Sequence, residues 1–368
     1  MNTDGNIRNP HLRSVEELIR LSGNNFGNLA FLKGLSSIIK NIKKFKILNW
    51  RQVDEKVYND AEVVLVSCAN WLSTKPQDET RNQMIANIID KFKCPVVCFG
   101  LGMQALLEND NKIGPNSIKL AEAFAKKSES PLSVRDAATA SILKKNNINA
   151  VITGCPSNFI SKNLSADSFY NFTARKAYWS EVRCMVSEIA TQRYTYTHQM
   201  VDNILCLLDA SQSSYILQSP LLMPLITGYK PFDSKKSFYF DPRVSLNYDK
   251  ICTILRTRSS FFTSADEWLN SARFFDFSLG MRIHGTMIPL QASTPAILVY
   301  HDVRTKGLSE AMSVPSINVE TFFRISHSSP SELIDLFMSL LPKYLDKRAE
   351  LRGTWHDYLT KAGLSSSL

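Results

Sequence analysis

The sequence predicts an α/β protein of two domains, each a parallel, doubly wound sheet, facing one another across a cleft. Three observations lead there. Short apolar runs alternate with stretches of helical period, the pattern of buried parallel strands joined by crossover helices. The chain of 368 residues exceeds one ordinary core. The alternation breaks over residues 161–176, which are rich in Ser, Asn and Thr and read as an interdomain linker. The expected domains are therefore residues 1–165 and 166–368.

In the first domain, residues 61–67 have the pattern of a buried strand. Residues 77–91 are helical, and 95–100 form a second strand. A helix over 115–127 leads to a short strand at 132–135. Asp136 is a suitable N-cap for a helix over 137–145, whose end carries two lysines and two asparagines. Residues 149–154 close the series. The second series has strands near 182–185, 215–218, 260–263, 275–279 and 296–300, with helices at 197–208 and 265–272 between them. The tail, 331–359, is helical and is expected to cross back over both domains. No internal repeat interrupts this order.

Composition narrows the function classes. Hydrophobic content of 44% with 21% charged residues is that of a soluble globular protein. There is no apolar run of spanning length and no N-terminal signal pattern. The seven cysteines lack paired C-x-x-C spacing, and Cys94 and Cys98 read as small buried apolar residues. A reducing cytoplasm, no disulfide framework, no cofactor and no metal site are expected. The net charge of +9 suits an anionic partner: a phosphorylated small molecule, a membrane surface or nucleic acid. Nucleic acid is disfavoured, because the basic residues are dispersed and no recognition motif is present. One lysine cluster, residues 40–46, ends a helix where cations complement the dipole. Its alternative is a peripheral contact with anionic lipid.

The residues with the most chemistry follow strands. Arg282, Ile283, His284 and Gly285 lie between a strand ending in Gly280-Met281 and an apolar helix. A helix N-terminus disfavours cations and offers free N–H groups to an anion. A basic pair there makes sense if an anionic ligand binds. The alternative is an Arg282–carboxylate pair beside a packed histidine. Ligands in doubly wound folds sit beyond the carboxyl ends of strands. Gly100-Leu101-Gly102-Met103-Gln104, Arg135, Gly154-Cys155-Pro156-Ser157 and His301-Asp302-Val303-Arg304-Thr305-Lys306 fall there as well. The glycines could serve turns alone, and Arg135 could pair with its neighbour Asp136.

Taken in order, these segments resemble the polysaccharide pyruvyl transferase family. The matching pieces begin with Ser22-Gly23-Asn24-Asn25-Phe26-Gly27-Asn28 and run through the Gly100, Ser133-Val134-Arg135-Asp136, Gly154, Arg282 and His301 segments. They cover residues 20–315. The resemblance implies a GT-B-like fold of two Rossmann-like domains. It implies transfer from phosphoenolpyruvate, as co-substrate, to a sugar of a surface glycan or its lipid-linked precursor, forming a cyclic pyruvate ketal. It makes Arg135 the donor-binding arginine and His284 the active-site histidine, both catalytic. Many members carry a lysine about twenty positions after that histidine; here Arg304 stands there, with Lys306 just beyond. The first loop reads Gly27-Asn28 where many members have Gly-Asp, which removes a charge.

The residues fit that chemistry in their own right. Phosphoenolpyruvate carries a carboxylate and a phosphate, which planar guanidinium groups bind in bidentate fashion. Arg135, Arg282 and Arg304 would form the clamp, with Gly285 and Lys306 beside the donor. His284 is the candidate acid or base, since histidine titrates near neutral pH. Asn24, Asn25, Asn28 and Gln104 are candidates for the acceptor or for the loop itself. The expected location is the cytoplasm, with the inner face of the membrane as the alternative. Two rivals remain: a GT-B glycosyltransferase using a nucleotide-sugar, discriminated by nucleoside diphosphate binding, and a non-catalytic glycan-binding protein, excluded by turnover. The acceptor sugar, the ketal's stereochemistry and the oligomeric state are not legible.

Overall fold

The computed structural model describes residues 4–40, 50, 53–104, 113–172, 178–189, 196–325 and 329–368. The fold is mixed α/β with parallel strands throughout. The chain divides into two compact units, neither continuous in sequence. One comprises Met1–Gly34, Ile160–His301 and Val314–Asp346; the other comprises Leu35–Phe159, Asp302–Ser313 and Lys347–Leu368.

In the unit built around residues 35–159, β1 (Val64–Ser67) pairs with β3 (Val96–Phe99), and β2 (Asn70–Leu72) with β4 (Gly102–Met103). β5 (Leu132–Val134) pairs with β6 (Ala150–Ile152), and a bridge from Leu101 to Val134 joins the two sets. β3 is buried at every position, as the run Val-Val-Cys-Phe predicts for a strand covered on both faces. The helices Pro76–Lys91 and Pro115–Lys127 start with proline in the first turn, where its missing N–H is not needed. Asp136 caps Ala137–Lys145 through Thr139 N, as its place in the sequence predicts. Cys98 is buried, but Cys94 precedes β3 and is half-buried.

The other unit holds a six-stranded parallel sheet. Its strands are β7 (Cys184–Ser187), β8 (Ser214–Ile216), β9 (Ser259–Ser260), β10 (Phe277–Gly280), β11 (Ala296–Tyr300) and β12 (Ser316–Asn318). They lie in the order β12-β11-β10-β7-β8-β9. From β7 the chain winds one way through β8 and β9. It then returns to β10, beside β7, and winds the other way. The β7/β10 junction is thus the switch point of the sheet, where doubly wound folds bind ligands.

Three expectations differ in detail. Residues 161–172 pack within the sheet-bearing unit, where Phe169 is buried against Phe337 with ring centroids 5.2 Å apart; residues 173–176 lie outside the described residues. The first residues of the chain join that same unit, where Asn6 bridges Ser264, rather than residues 35–159 as the 1–165 division has it. The strand expected at 215–218 ends at Ile216; Leu217 N still reaches Ser260 O, and the amides of Gln218 and Ser219 turn to a buried carboxylate. Of the lysine cluster, Lys40 donates its amide to Ser365 O, and residues 41–46 lie outside the described residues. Among the described residues no helix is long and apolar enough to cross a membrane.

Candidate active site

At the switch point, the turn after β10 carries Arg282 and His284 into the helix Ile283–Gln291. Arg282 stands at the N-cap position and its side chain makes no capping bond. The turn after β7 carries Glu188, which has no exposure to solvent. Glu188 accepts hydrogen bonds from Gln218 N (2.8 Å), Ser219 N (2.7 Å) and Ser219 Oγ (2.6 Å), all from the turn after β8. The ends of two adjacent strands, β7 and β8, are tied together in this way.

Arg282 Nη2 lies 3.4 Å from Glu188 Oε2, an ion pair by distance. It is not a hydrogen bond: Arg282 Nε and Nη2 are both buried and neither has a hydrogen-bond partner. The buried Gln218 Nε2 and Thr286 Oγ1 are unpartnered too. Buried donors without partners are uncommon and costly, and at a strand end they point to a ligand. Neither Glu188 nor Gln218 stood out in the sequence. Their only signal was their place just beyond strands.

Glycines keep this region open. A Cβ on Gly27 would lie 2.6 Å from Gln218 Oε1, 2.9 Å from His284 Nδ1 and 3.0 Å from Asn25 Oδ1. The backbone of the first loop therefore lies directly against the half-buried histidine and the buried amide. A Cβ on Gly285 would lie 2.2 Å from Ser187 Cβ and 2.8 Å from Gln218 Nε2. The loop asparagines build the loop. Asn24 has positive φ (60°) and is exposed. Asn25 Oδ1 accepts from Gly27 N at 2.9 Å, an Asx turn. Asn28 Nδ2 donates to Ser22 O at 3.0 Å, a bond that an aspartate could not make.

The other unit holds the second charged group. Arg135, just past β5, is 8% exposed and packs on Gly102, where a Cβ would lie 2.2 Å from its Nε. Its Nε donates to Asp136 Oδ2 (3.2 Å) and its Nη2 to Met103 O (2.9 Å), while Nη1 donates to Asn70 Oδ1. Burial pushes its pKa down, Asp136 opposes that, and nearby Arg304 adds to it. Arg304 bonds Asp302 through Nε (3.1 Å) and Nη2 (2.6 Å), and Asp302 caps the helix Val303–Met312 that carries Arg304 and Lys306. Lys306 is half-buried on that helix. Gln104 is half-buried and donates its amide to Leu72 O. Arg135 and Arg304 are thus neighbours, each beside its own carboxylate, while Arg282 and His284 belong to the other unit. Of the three arginines, only Arg282 keeps its fork edge unspent.

The family model for polysaccharide pyruvyl transferases matches residues 25–303, three quarters of the chain. The chain belongs to the polysaccharide pyruvyl transferase family. It is a transferase enzyme of polysaccharide biosynthesis. The match runs from Asn25 through Arg135, Arg282 and His284 and stops one residue before Arg304. No curated protein matches the chain. Among solved structures, it is similar to a protein assigned as a UDP-N-acetylglucosamine 2-epimerase from Listeria monocytogenes. That likeness has 12% identity and a TM-score of 0.38, over 83% of this chain and 76% of that one. The complex of S. aureus MnaA with UDP gives 12% identity and 0.37, over 91% and 80%. A glycotransferase of kitacinnamycin gives 9% and 0.32, over 90% and 79%. Likenesses this loose say nothing of what this transferase binds.

Proposed function

We propose that this transferase moves the pyruvyl group of phosphoenolpyruvate onto a sugar of a surface polysaccharide or its lipid-linked precursor, closing a pyruvate ketal. The observation that supports this most is the unspent fork of Arg282 beside His284 at the switch point. A buried guanidinium edge with two free donors matches a carboxylate or phosphate in bidentate fashion.

In this reading Arg282, with the backbone at Gly285, holds one anionic group of the donor. Arg135, Arg304 and Lys306, all of the other unit, are the further anion-binding candidates. Arg135 retains one N–H on each terminal nitrogen after its bonds to Asn70 and Met103. A proton reaches the methylene carbon, leaving an oxocarbenium-like centre at C2. One sugar hydroxyl adds there and gives up its proton. A second displaces phosphate and closes the ring, so that the methylene has become a methyl and inorganic phosphate leaves. His284 transfers the proton, and the absence of a side chain at Gly27 leaves room beside its Nδ1, where a Cβ would lie 2.9 Å away. Asn24, exposed on the first loop, is the candidate left for the acceptor, since Asn25 and Asn28 are bonded within that loop. A lipid-linked acceptor would place the enzyme at the cytoplasmic face of a membrane.

The test is phosphate release from phosphoenolpyruvate across a panel of lipid-linked and synthetic glycosides, with galactose and N-acetylmannosamine types included. Release that depends on one glycoside is the expected outcome. Tight binding of a nucleoside diphosphate with no use of phosphoenolpyruvate would replace this reading with a nucleotide-sugar glycosyltransferase.

A further inference from the structure

We propose that Glu188 is the positioning residue for Arg282, fixing the guanidinium by charge while leaving its hydrogen-bonding edge for the substrate anion. The identity of that anion rests on the donor reading above. The role of Glu188 follows from how its lone pairs are used.

A carboxylate that serves an arginine as counterion normally meets its fork with two parallel bonds of about 2.7–2.9 Å. Glu188 does not. Its Oε2 is taken by the amides of Gln218 and Ser219, and its Oε1 by the Ser219 hydroxyl. These donors stabilise the buried charge without Arg282 and fix its direction, since two are backbone groups of one turn. Arg282 Nη2 is left 3.4 Å from Oε2, attracted but not bonded, and its Nε has no partner. The unpartnered Gln218 Nε2 lies on the same mount. The carboxylate thus directs the guanidinium without consuming it. An incoming anion gains the fork and displaces no hydrogen bond in doing so.

Calorimetry on the full chain tests this, with phosphoenolpyruvate, inorganic phosphate and UDP as probes. Glu188→Gln should weaken phosphoenolpyruvate binding about tenfold to a hundredfold, with a smaller change in kcat at saturation and a cooperative melt retained. Ser219→Ala, which frees one carboxylate oxygen, should shift Kd in the same direction by less. In an Arg282→Lys background, Glu188→Gln should add little, since both act through one fork. Binding by Glu188→Gln as tight as wild type, or tighter, would make the glutamate a mere charge counterweight and overturn the proposal. Additive effects of the two substitutions would overturn it too. If Glu188→Gln fails to fold, Ser219→Ala decides alone, and an unchanged Kd refutes the role. If the wild type binds phosphate or UDP but not phosphoenolpyruvate, the donor reading falls, and the same comparison with that anion still judges Glu188. If it binds none of the three, both fall.

Discussion

Single residues divide into those already satisfied and those waiting for a partner. Arg135 belongs mostly to the first kind: Asp136, Asn70 and Met103 hold it in a buried place. Arg135→Ala should therefore lower the melting temperature as well as activity. Removing one partner of a buried pair costs about 3 kcal/mol or more. A variant with normal melting and impaired donor binding would show that the arginine serves the ligand alone. Arg282 belongs to the second kind. Arg282→Lys keeps the charge but loses the fork, and should weaken donor binding by about 1.5–3 kcal/mol with little change in stability. His284 is expected to act on the rate. His284→Gln should lower kcat by about two to four powers of ten, with donor Kd from calorimetry nearly unchanged. A lowered melting temperature with normal turnover per folded molecule would make His284 a packing residue.

At the scale of elements, the site depends on how tightly β7 and the turn after β10 approach. A Cβ on Gly285 would fall 2.2 Å from Ser187 Cβ, which is fixed to the strand and cannot swing away. Gly285→Ala should destabilise the fold by about 1–3 kcal/mol and displace Arg282 and His284 from their shared turn. Adding Ser187→Gly should recover most of that stability, and failure to do so would place the strain elsewhere. The elements themselves were largely legible. The helices Pro115–Lys127, Ala137–Lys145 and Ala265–Ala272 and the strand Ala296–Tyr300 lie where period, capping residues and apolar runs put them. Arg282 and His284 were legible because a cationic pair at a helix start is physically odd. Glu188 and Gln218 were not. A lone glutamate after an apolar run, and a glutamine before Ser-Pro, look like ordinary turn residues until the fold shows what their atoms bond.

At the scale of the whole molecule, linear reading fails where the chain recrosses its own units. A divide at residue 165 follows from local composition, whereas packing follows from what each surface finds to cover it. Within the unit of residues 35–159, Phe99 stacks on Trp355 at 6.2 Å and meets Tyr358 at 6.0 Å, while Tyr358 Oη donates to Cys98 O. Arg348 lies 5.2 Å over the Phe159 ring and donates to Asn158 O. Met312 fills the space that a side chain at Gly154 would need. These partners come from residues 302–313 and 347–368, which a fragment of residues 1–165 lacks. That fragment also carries residues 1–34, whose partners Ser264 and Asp266 are missing from it. Residues 1–165 expressed alone should therefore show no cooperative thermal transition and should bind a hydrophobic dye. In the full chain, Trp355→Ala should cost about 3–5 kcal/mol, because a fully buried ring is removed from the face of β3. A sharp melt from residues 1–165 alone would mean that the distant segments are ornaments. A broad one, with the loss in Trp355→Ala, would mean that β3 and its neighbours are completed only by residues some two hundred positions away in the chain.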